Sequence, residues 1–227
     1  MLNTFKPCSF LLGEHKVSRW VDMDSAKKAL FMCIEGLDKS GKTSQSILLV
    51  NALSKRGLDA VYTTEPSSGE IGKFIRRYVL SRKERVPAVV EALLFAADRV
   101  DHVETRIKPM LSEGKVVVSD RYVYSSLAYQ GAAGLDIEWI KEINKFALEP
   151  DLAIYLDVPL QVVSRRSRRE RSVMERPSIQ EKVQEVYLRF VRKGVLIPVD
   201  GRRAIEEVAK DIETLVLKRL ERQTVRM

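Results

Sequence analysis

The sequence predicts an α/β fold in which helices sandwich a five-stranded parallel sheet. The first observation is that short apolar segments alternate with segments of helical periodicity along the chain. The second is that the apolar segments are continuous, as in strands buried on both faces of a parallel sheet. The third is the length of 227 residues, which suits one domain, or one domain carrying a mobile insertion.

Five apolar segments are predicted strands. The first of them, L-F-M-C-I-E, ends at a glycine, as buried strands often do. Ligands of parallel sheets bind beyond the carboxyl ends of the strands, so the chemistry should follow each strand directly. The predicted strands cover residues 30–35, 60–64, 115–119, 152–157 and 195–199.

The remaining periodic segments are predicted helices. A glycine or a proline follows several of them, for example Gly57 and Pro150. The predicted helices cover residues 44–56, 69–80, 88–110, 136–148, 160–171, 178–193 and 204–220. Residues 1–29 have no sustained period, and we expect them to be a poorly ordered N-terminal extension. The domain is predicted over 30–222, with a lid near 161–177 and a tail at 223–227.

Composition excludes several classes of protein. Two cysteines cannot build a disulfide framework, and with two histidines at unrelated spacings they do not suggest structural zinc. We therefore expect a reducing, cytoplasmic compartment. The longest apolar stretch, residues 88–97, contains Glu91 and is far too short to span a membrane.

The net charge of +8 is concentrated rather than spread along the chain. The segment 161–176 contains arginines at 165, 166, 168, 169, 171 and 176. Such a cluster can be a solvated helix face, a nucleic-acid surface or a contact for another polyanion. Because no aromatic residue interleaves these arginines, binding to single-stranded nucleic acid is disfavoured.

A phosphate-binding loop follows the first strand. The sequence G-L-D-K-S-G-K-T at 36–43 matches G-x-x-x-x-G-K-[ST], between a predicted strand and a predicted helix. Glycines let backbone amides turn toward a phosphate, and the helix N-terminus attracts anions. Lys42 would reach the terminal phosphates and Thr43 would bind magnesium. The guanine motif N-K-x-D is not matched at 144–147, which favours a kinase or an ATPase over a GTPase.

Other polar and aromatic motifs follow the second and third strands. T-E-P lies at 64–66 and D-R-Y at 120–122. On the long helix, Phe95 and Arg99 are four residues apart and therefore share a face, where they could stack on a planar base and donate to its carbonyl. Each motif alone could be core or a surface ion pair. Their joint position at the predicted carboxyl ends favours a second binding site.

Together these residues make the chain resemble the thymidylate kinase family. The resemblance covers residues 30–220, in family order and spacing. The motifs that carry it are E-G-L-D-K-S-G-K-T (35–43), T-E-P (64–66), Ile75-Arg76, L-F-A-A-D-R (94–99), S-D-R-Y (119–122), S-S-L-A-Y-Q-G (125–131) and the arginine-rich stretch after Asp157.

The resemblance implies transfer of the γ-phosphoryl group of ATP to dTMP, with Mg²⁺, in a P-loop fold with an arginine-rich lid. It implies ATP contacts from Gly36, Leu37, Asp38, Lys39, Ser40, Gly41, Lys42, Thr43 and, at the adenine, Arg165. It implies dTMP contacts from Asp38, Glu65, Arg76, Phe95, Arg99, Arg121, Ser126, Tyr129 and Gln130. The implied metal residues are Thr43, Asp120 and Glu65.

In this assignment, Arg76 and Arg121 would bind the acceptor phosphate. Phe95 would stack on thymine, Arg99 would donate to its O4 atom, and Tyr129 would lie under the deoxyribose. The catalytic set would be Lys42, Asp38, Lys39, Arg121, Arg168 and Arg169. Lys39 is the expected helper at the transferred phosphoryl group and the two lid arginines the expected contacts, although family members use either device.

Two alternatives remain open from the sequence. One is a kinase for another deoxynucleotide or a deoxynucleoside, which could use the same loop and lid. The other is a non-enzymatic nucleotide-dependent binding module whose basic segment contacts nucleic acid. The resemblance also implies a homodimer packed through residues 88–106, with no nucleic acid or membrane partner.

Overall fold

The computed structural model describes residues 29–166 and 173–224. The predictions for the N-terminal extension, apart from its last residue, lie outside the described residues. So do those for lid residues 167–172 and tail residues 225–227. Within the described ranges, no helix is long and apolar enough to cross a membrane. Cys33 is a buried free thiol, and the cytoplasmic location stays a prediction.

A parallel sheet of five strands forms the centre of the fold, in the order β2-β3-β1-β4-β5. Every residue of the central pair, β1 and β3, is buried. Since successive side chains point to opposite faces, helices must cover both faces of these strands. The predicted fold class is confirmed. The strands are β1 Leu30–Glu35, β2 Ala60–Thr64, β3 Val116–Asp120, β4 Leu152–Asp157 and β5 Ile197–Asp200.

Helices connect the strands in chain order. Among them, α1 packs against α9, and α5 packs against α8 and α3. They are α1 Lys42–Lys55, α2 Glu70–Ile75, α3 Ala88–His102, α4 Lys108–Ser112, α5 Val123–Ala132, α6 Ile137–Ile143, α7 Leu160–Arg165, α8 Pro177–Arg192 and α9 Ile205–Thr224. Two π-helical turns, Arg76–Leu80 and Val103–Ile107, continue α2 and α3, so the predicted helices 69–80 and 88–110 are each nearly continuous.

One helix, α5, was not predicted. Its sequence V-Y-S-S-L-A-Y-Q-G-A is rich in serine and aromatic residues and contains Gly131, all weak helix formers. Tertiary packing stabilises it instead. A Cβ atom at Gly131 would lie 2.6 Å from Ile137, so the glycine permits the close approach of α6. The predicted helix 160–171 is observed only to Arg165 within the described residues.

The strand order creates a crevice beside β1. After β1 the chain crosses to β2, which lies beyond β3. After β3 it crosses in the opposite direction to β4, which lies beyond β1. The connecting segments therefore diverge above the carboxyl ends of β1 and β3, which is where ligands bind in such sheets. The backbone N–H of Arg121 donates to Ile34 at 3.1 Å and ties the two strand ends together.

Candidate active site

The loop between β1 and α1 has the backbone of a phosphate cradle. Gly36 and Gly41 have φ values of 149° and 106°, and Lys39 adopts the left-handed conformation with φ of 65°. Backbone angles of this kind allow successive amides to turn toward a phosphate. Lys42 Nζ donates to the Leu37 carbonyl at 2.6 Å and so lies across the cradle. The loop therefore has the shape needed for phosphates without further folding.

Lys42 is buried, and its charge is correspondingly costly. Burial, with a contribution from nearby Arg121, lowers the pKa of Lys42 from its usual value to about 8. The carboxylates of Asp120, Asp38 and Glu35 oppose this shift. A phosphate bound in the cradle would favour the charged lysine further, because an anion beside an ammonium group raises its pKa.

Asp38 and Arg121 join the loop to the end of β3. The Arg121 guanidinium pairs with Asp38 and donates to Ser125 Oγ at 3.1 Å and to the Gly36 carbonyl at 3.3 Å. Arg121 itself has a positive φ of 73°, an uncommon conformation for a residue with a side chain. Burial opposes ionisation of Asp38, but Arg121 and Lys42 outweigh it and hold the pKa of this carboxyl below its usual value.

Thr43 and Asp120 come together as a candidate metal site. The Thr43 hydroxyl donates to Asp120 Oδ2, and Asp120 Oδ1 is buried without a hydrogen-bond partner among the described residues. In kinase sites Mg²⁺ binds only one or two protein oxygens besides phosphates and waters. A hydroxyl and a carboxylate beside a phosphate cradle match this pattern. Within the described residues, no cluster of three or more His, Cys, Asp or Glu could hold a metal by itself.

A cavity of about 330 Å³ opens beside the phosphate loop. Seven of the nine residues predicted to bind dTMP line it. They are Asp38, Arg76, Phe95, Arg121, Ser126, Tyr129 and Gln130. The segments that contribute them are far apart in sequence, so the fold alone brings them to one place.

Glu65 and Arg99 are not among the residues that line this cavity, and their contacts with dTMP stay predictions. Arg99 is only 1% exposed, and its Nε donates to Glu65 at 2.9 Å while a terminal nitrogen donates to Ser126 Oγ at 3.1 Å. Glu65 also contacts His102 at 3.3 Å. The carboxylate captures the guanidinium behind the cavity wall, so Arg99 does not lie beside Phe95 on that wall. The Glu65 backbone N–H donates to the Asp120 carbonyl at 3.1 Å, and the role of its carboxylate at the metal stays a prediction.

A profile of the thymidylate kinase family matches residues 34–212. The chain is 42% identical over 197 residues to a probable thymidylate kinase of Pyrococcus horikoshii, covering 83% of this chain and 96% of that protein. It is 43% identical over 190 residues to one of Pyrobaculum aerophilum, covering 82% and 95%.

The chain belongs to the thymidylate kinase family. Thymidylate kinases phosphorylate dTMP to dTDP and use ATP as the donor, so the predicted enzyme class, reaction and substrates are confirmed. The alternative of a non-enzymatic binding module is therefore wrong, and so is that of a kinase for another acceptor class.

Among the residues that were not predicted at this thymidylate kinase site, three support its loops through hydrogen bonds. The first is Gln180 on α8, which is 2% exposed. Its Oε1 accepts from the Asp38 backbone N–H at 3.0 Å, and its Nε2 donates to Asp38 Oδ2 at 2.9 Å and to Tyr129 Oη at 3.1 Å. A signal was available, because Gln180 lies three residues before Val183 and continues the buried face of α8.

The second is Glu35, at the end of β1 and fully buried. It accepts from the backbone N–H groups of Tyr122 and Ser125 at 2.8 and 3.1 Å, and from Tyr187 Oη at 2.8 Å. Burial raises the pKa of Glu35, while these hydrogen bonds and Arg121 oppose the rise. Because it binds the N-terminus of α5, Glu35 supports the segment that carries Arg121.

The third is Arg166, which follows α7 at the edge of the lid. Its guanidinium donates to the carbonyl oxygens of Ser40 at 2.8 Å and Lys39 at 3.3 Å. Arg165 is the last residue of α7, while Arg168 and Arg169 lie outside the described residues. Lys39 pairs with Glu175 at 2.6 Å. The described part of the lid thus reaches the phosphate loop from both of its ends.

Arg76 lines the cavity from the turn after α2. Its guanidinium donates to the carbonyl oxygens of Pro66 and Ser67. Asp98 on α3 fixes Ser67 in turn, accepting from its backbone N–H at 2.7 Å and from its hydroxyl at 2.6 Å. A guanidinium has five N–H donors, so Arg76 keeps donors available for an anion in the cavity.

Proposed function

We propose that the transfer from ATP to dTMP takes place in the crevice between the carboxyl ends of β1 and β3. The observation that supports this best is the Asp38–Arg121 pair. Asp38 belongs to the phosphate loop and both residues line the cavity, so the pair borders donor and acceptor together. Phosphoryl transfer needs alignment and charge neutralisation more than covalent chemistry, and a shared border serves both.

On the donor side, the backbone of residues 36–43 would hold the ATP phosphates and Lys42 would neutralise their charge. Thr43 and Asp120 would hold Mg²⁺, which supplies further positive charge to phosphate oxygens when bound. The buried Asp120 Oδ1, which has no hydrogen-bond partner within residues 29–166 and 173–224, supports this assignment. The adenine contact of Arg165 stays a prediction.

On the acceptor side, Arg76 and Arg121 would bind the dTMP phosphate as guanidinium forks. Phe95 would stack on thymine, with Tyr129 under the sugar. The Tyr129 hydroxyl donates to Asp38 Oδ2 at 2.9 Å, which holds the ring in place. Arg99 would donate to the O4 atom of thymine. Its terminal nitrogen donates to Ser126 Oγ, on the cavity wall, at 3.1 Å, which supports this position.

Lys39 would assist the transferred phosphoryl group, and Arg168 and Arg169 would contact it from the lid. The ion pair to Glu175 supports a defined position for Lys39 beside the loop. A Lys39→Ala variant should then lose more in kcat than an Arg168→Ala/Arg169→Ala double variant. A larger loss of kcat in the double variant would instead assign the helper role to the lid arginines.

The decisive experiment is a coupled ADP-release assay with ATP and Mg²⁺ on a panel of acceptors. We expect turnover with dTMP to exceed that with dUMP, dCMP and thymidine. The monophosphate requirement follows from Arg76 and Arg121, because thymidine has no phosphate for them to bind. Turnover of thymidine at the rate of dTMP would contradict this acceptor site.

We further propose a homodimer through α3. Val89, Val90 and Leu93 form an exposed apolar row on this helix, at 46%, 38% and 48% exposure. Such a row on a helix that also borders the cavity suits a buried interface. In analytical ultracentrifugation, Leu93→Glu should yield monomer, while the matched change Ile47→Glu on α1, where Ile47 is 45% exposed, should not. A dimer that persists in Leu93→Glu would exclude this face.

A further inference from the structure

A buried ionic cluster at the cavity wall has no part in the mechanism above. Glu91 on α3 lines the cavity and is 0% exposed. Arg85, in the loop before α3, donates to both carboxylate oxygens of Glu91, from Nε to Oε2 at 3.0 Å and from a terminal nitrogen to Oε1 at 2.7 Å. Arg85 also donates to the Tyr129 carbonyl at 3.1 Å. The cluster thus connects α3 to the backbone of α5.

The same carboxylate determines how the amide of Gln130 is oriented. Gln130 Nε2 donates to Glu91 Oε1 at 2.6 Å. A carboxylate held by a guanidinium only accepts hydrogen bonds, so the amide nitrogen must face Glu91. If the amide turned over, the Gln130 oxygen would face the Glu91 oxygen, and these two acceptors would repel each other. Glu91 therefore distinguishes two orientations that an amide side chain could otherwise adopt equally well.

This orientation leaves one acceptor for a ligand. Gln130 is 2% exposed and lines the cavity, yet its Oε1 is buried without a hydrogen-bond partner in the described part of the chain. A buried acceptor without a donor is costly, so the site gains when a ligand brings an N–H group to it. The cavity therefore favours a ligand that places an N–H donor beside Gln130 Oε1.

We propose that Glu91 is a positioning residue for base selection, which presents the Gln130 carbonyl to the imide N–H of a pyrimidine-2,4-dione. The inference rests on the proposed acceptor site. On the free edge of thymine or uracil, the ring N–H lies between two carbonyl oxygens and is the single donor. In cytosine the same ring nitrogen is an acceptor, so in this orientation it would face the Gln130 oxygen. Discrimination then comes from repulsion as well as attraction.

The test compares kcat/KM for dTMP, dUMP and dCMP in the wild-type protein and in Glu91→Gln. A glutamine at 91 can donate or accept, so the Gln130 amide is free to turn. We expect the dTMP/dCMP ratio to fall at least about tenfold, as expected for loss of an oriented hydrogen bond plus relief of a repulsion. The dTMP/dUMP ratio should stay constant, because these two bases share the same edge.

Ratios measured on one preparation do not depend on how much of the protein is folded. Glu104→Gln, on the exposed continuation of α3, is the matched control and should change neither ratio. If Glu91→Gln does not fold, Gln130→Leu removes the acceptor with little change in volume and should lower the same ratio.

Two results would overturn the inference. An unchanged dTMP/dCMP ratio in both variants would leave Glu91 with a structural role only. An equal fall in both ratios would indicate a damaged cavity rather than a reoriented amide. Calorimetric titration with dTMP and dCMP separates this from the proposed function. A binding preference for dTMP that Glu91→Gln loses would support base selection by Glu91 even if Arg76 and Arg121 proved unnecessary for transfer, so the two proposals can fail separately.

Discussion

The donor and acceptor halves of the site are built in different ways. The phosphate loop is one continuous segment, 36–43, and most of the ligand groups that we propose for it are backbone amides, whose directions depend on local φ and ψ angles. The acceptor cavity is lined by side chains from the loop after β2 and from α3, α5 and the lid, among others. A local backbone site tolerates changes around it, whereas an assembled side-chain site depends on each element that positions it.

Arg121→Ala should have the largest effect, because Arg121 belongs to both halves. It would remove a guanidinium that we propose binds the acceptor phosphate, and it leaves Asp38 without its ion-pair partner. We expect kcat/KM for dTMP to fall about 10²–10³-fold, the scale for losing one charge-stabilising donor. Arg106→Ala, an exposed arginine after α3, is the control. If ATP affinity in Arg121→Ala fell by as large a factor as kcat/KM for dTMP, the donor and acceptor halves would not act as independent binding sites.

The next effect is a pH dependence confined to the donor half. With its pKa lowered to about 8, Lys42 is charged in the free protein below that pH and largely neutral above it. ATP binding above pH 8 must therefore take up a proton, and affinity should fall by up to about tenfold per pH unit. Below pH 8 the contribution should be flat. Titrations from pH 6 to 10 measure this, with thymidine monophosphate binding as the acceptor-side comparison.

Lys42→Arg provides the control for that titration. An arginine remains charged throughout this range, so its ATP affinity should lack the decline above pH 8. A decline of the same size in Lys42→Arg would assign the pH dependence to another group.

A smaller effect is expected at Gln180, which supports the border between the halves. Gln180→Leu removes the hydrogen bonds to Asp38 and Tyr129 and leaves the half-buried Asp38 amide without this acceptor. The free energy of unfolding should fall by about 1–3 kcal/mol, and KM for dTMP should rise more than KM for ATP. Chemical denaturation and steady-state kinetics measure both quantities. Lys182→Leu, at an exposed position of the same helix, should change neither KM.

The smallest effect is expected at a residue outside both halves, where a variant should lose stability without a change in kinetics. Asp136 caps α6, accepting from the Trp139 backbone N–H at 2.8 Å. Asp136→Ala should lower the free energy of unfolding by about 1 kcal/mol, the usual cost of losing an N-cap. The values of kcat and both KM should stay constant. A change in base preference here would show that the acceptor half responds to any loss of stability, and would weaken conclusions drawn from Glu91.

Sequence patterns alone located all five strands within two residues, because a buried parallel strand is a continuous apolar run. They also located the whole phosphate loop, from Gly36 to Thr43, because its function depends on adjacent residues. The helix α5 escaped prediction, since its residues have weak helical propensity and contacts with α3, α6 and α8 stabilise it. Gln180 and Glu35 escaped as site residues for a related reason: each acts through a partner more than 85 positions away.

The sequence by itself determined the fold class, the donor loop and half of the residues that line the acceptor cavity. Only the tertiary structure decided what each charged side chain contacts. Phe95 and Arg99 share one helix face, as their spacing requires, but Glu65 draws the Arg99 guanidinium behind the wall while Phe95 stays on it. The direction of a long ionic side chain depends on which buried partner it meets, because an unpaired buried charge is too costly. That partner comes from a different strand or helix, and no local pattern specifies it.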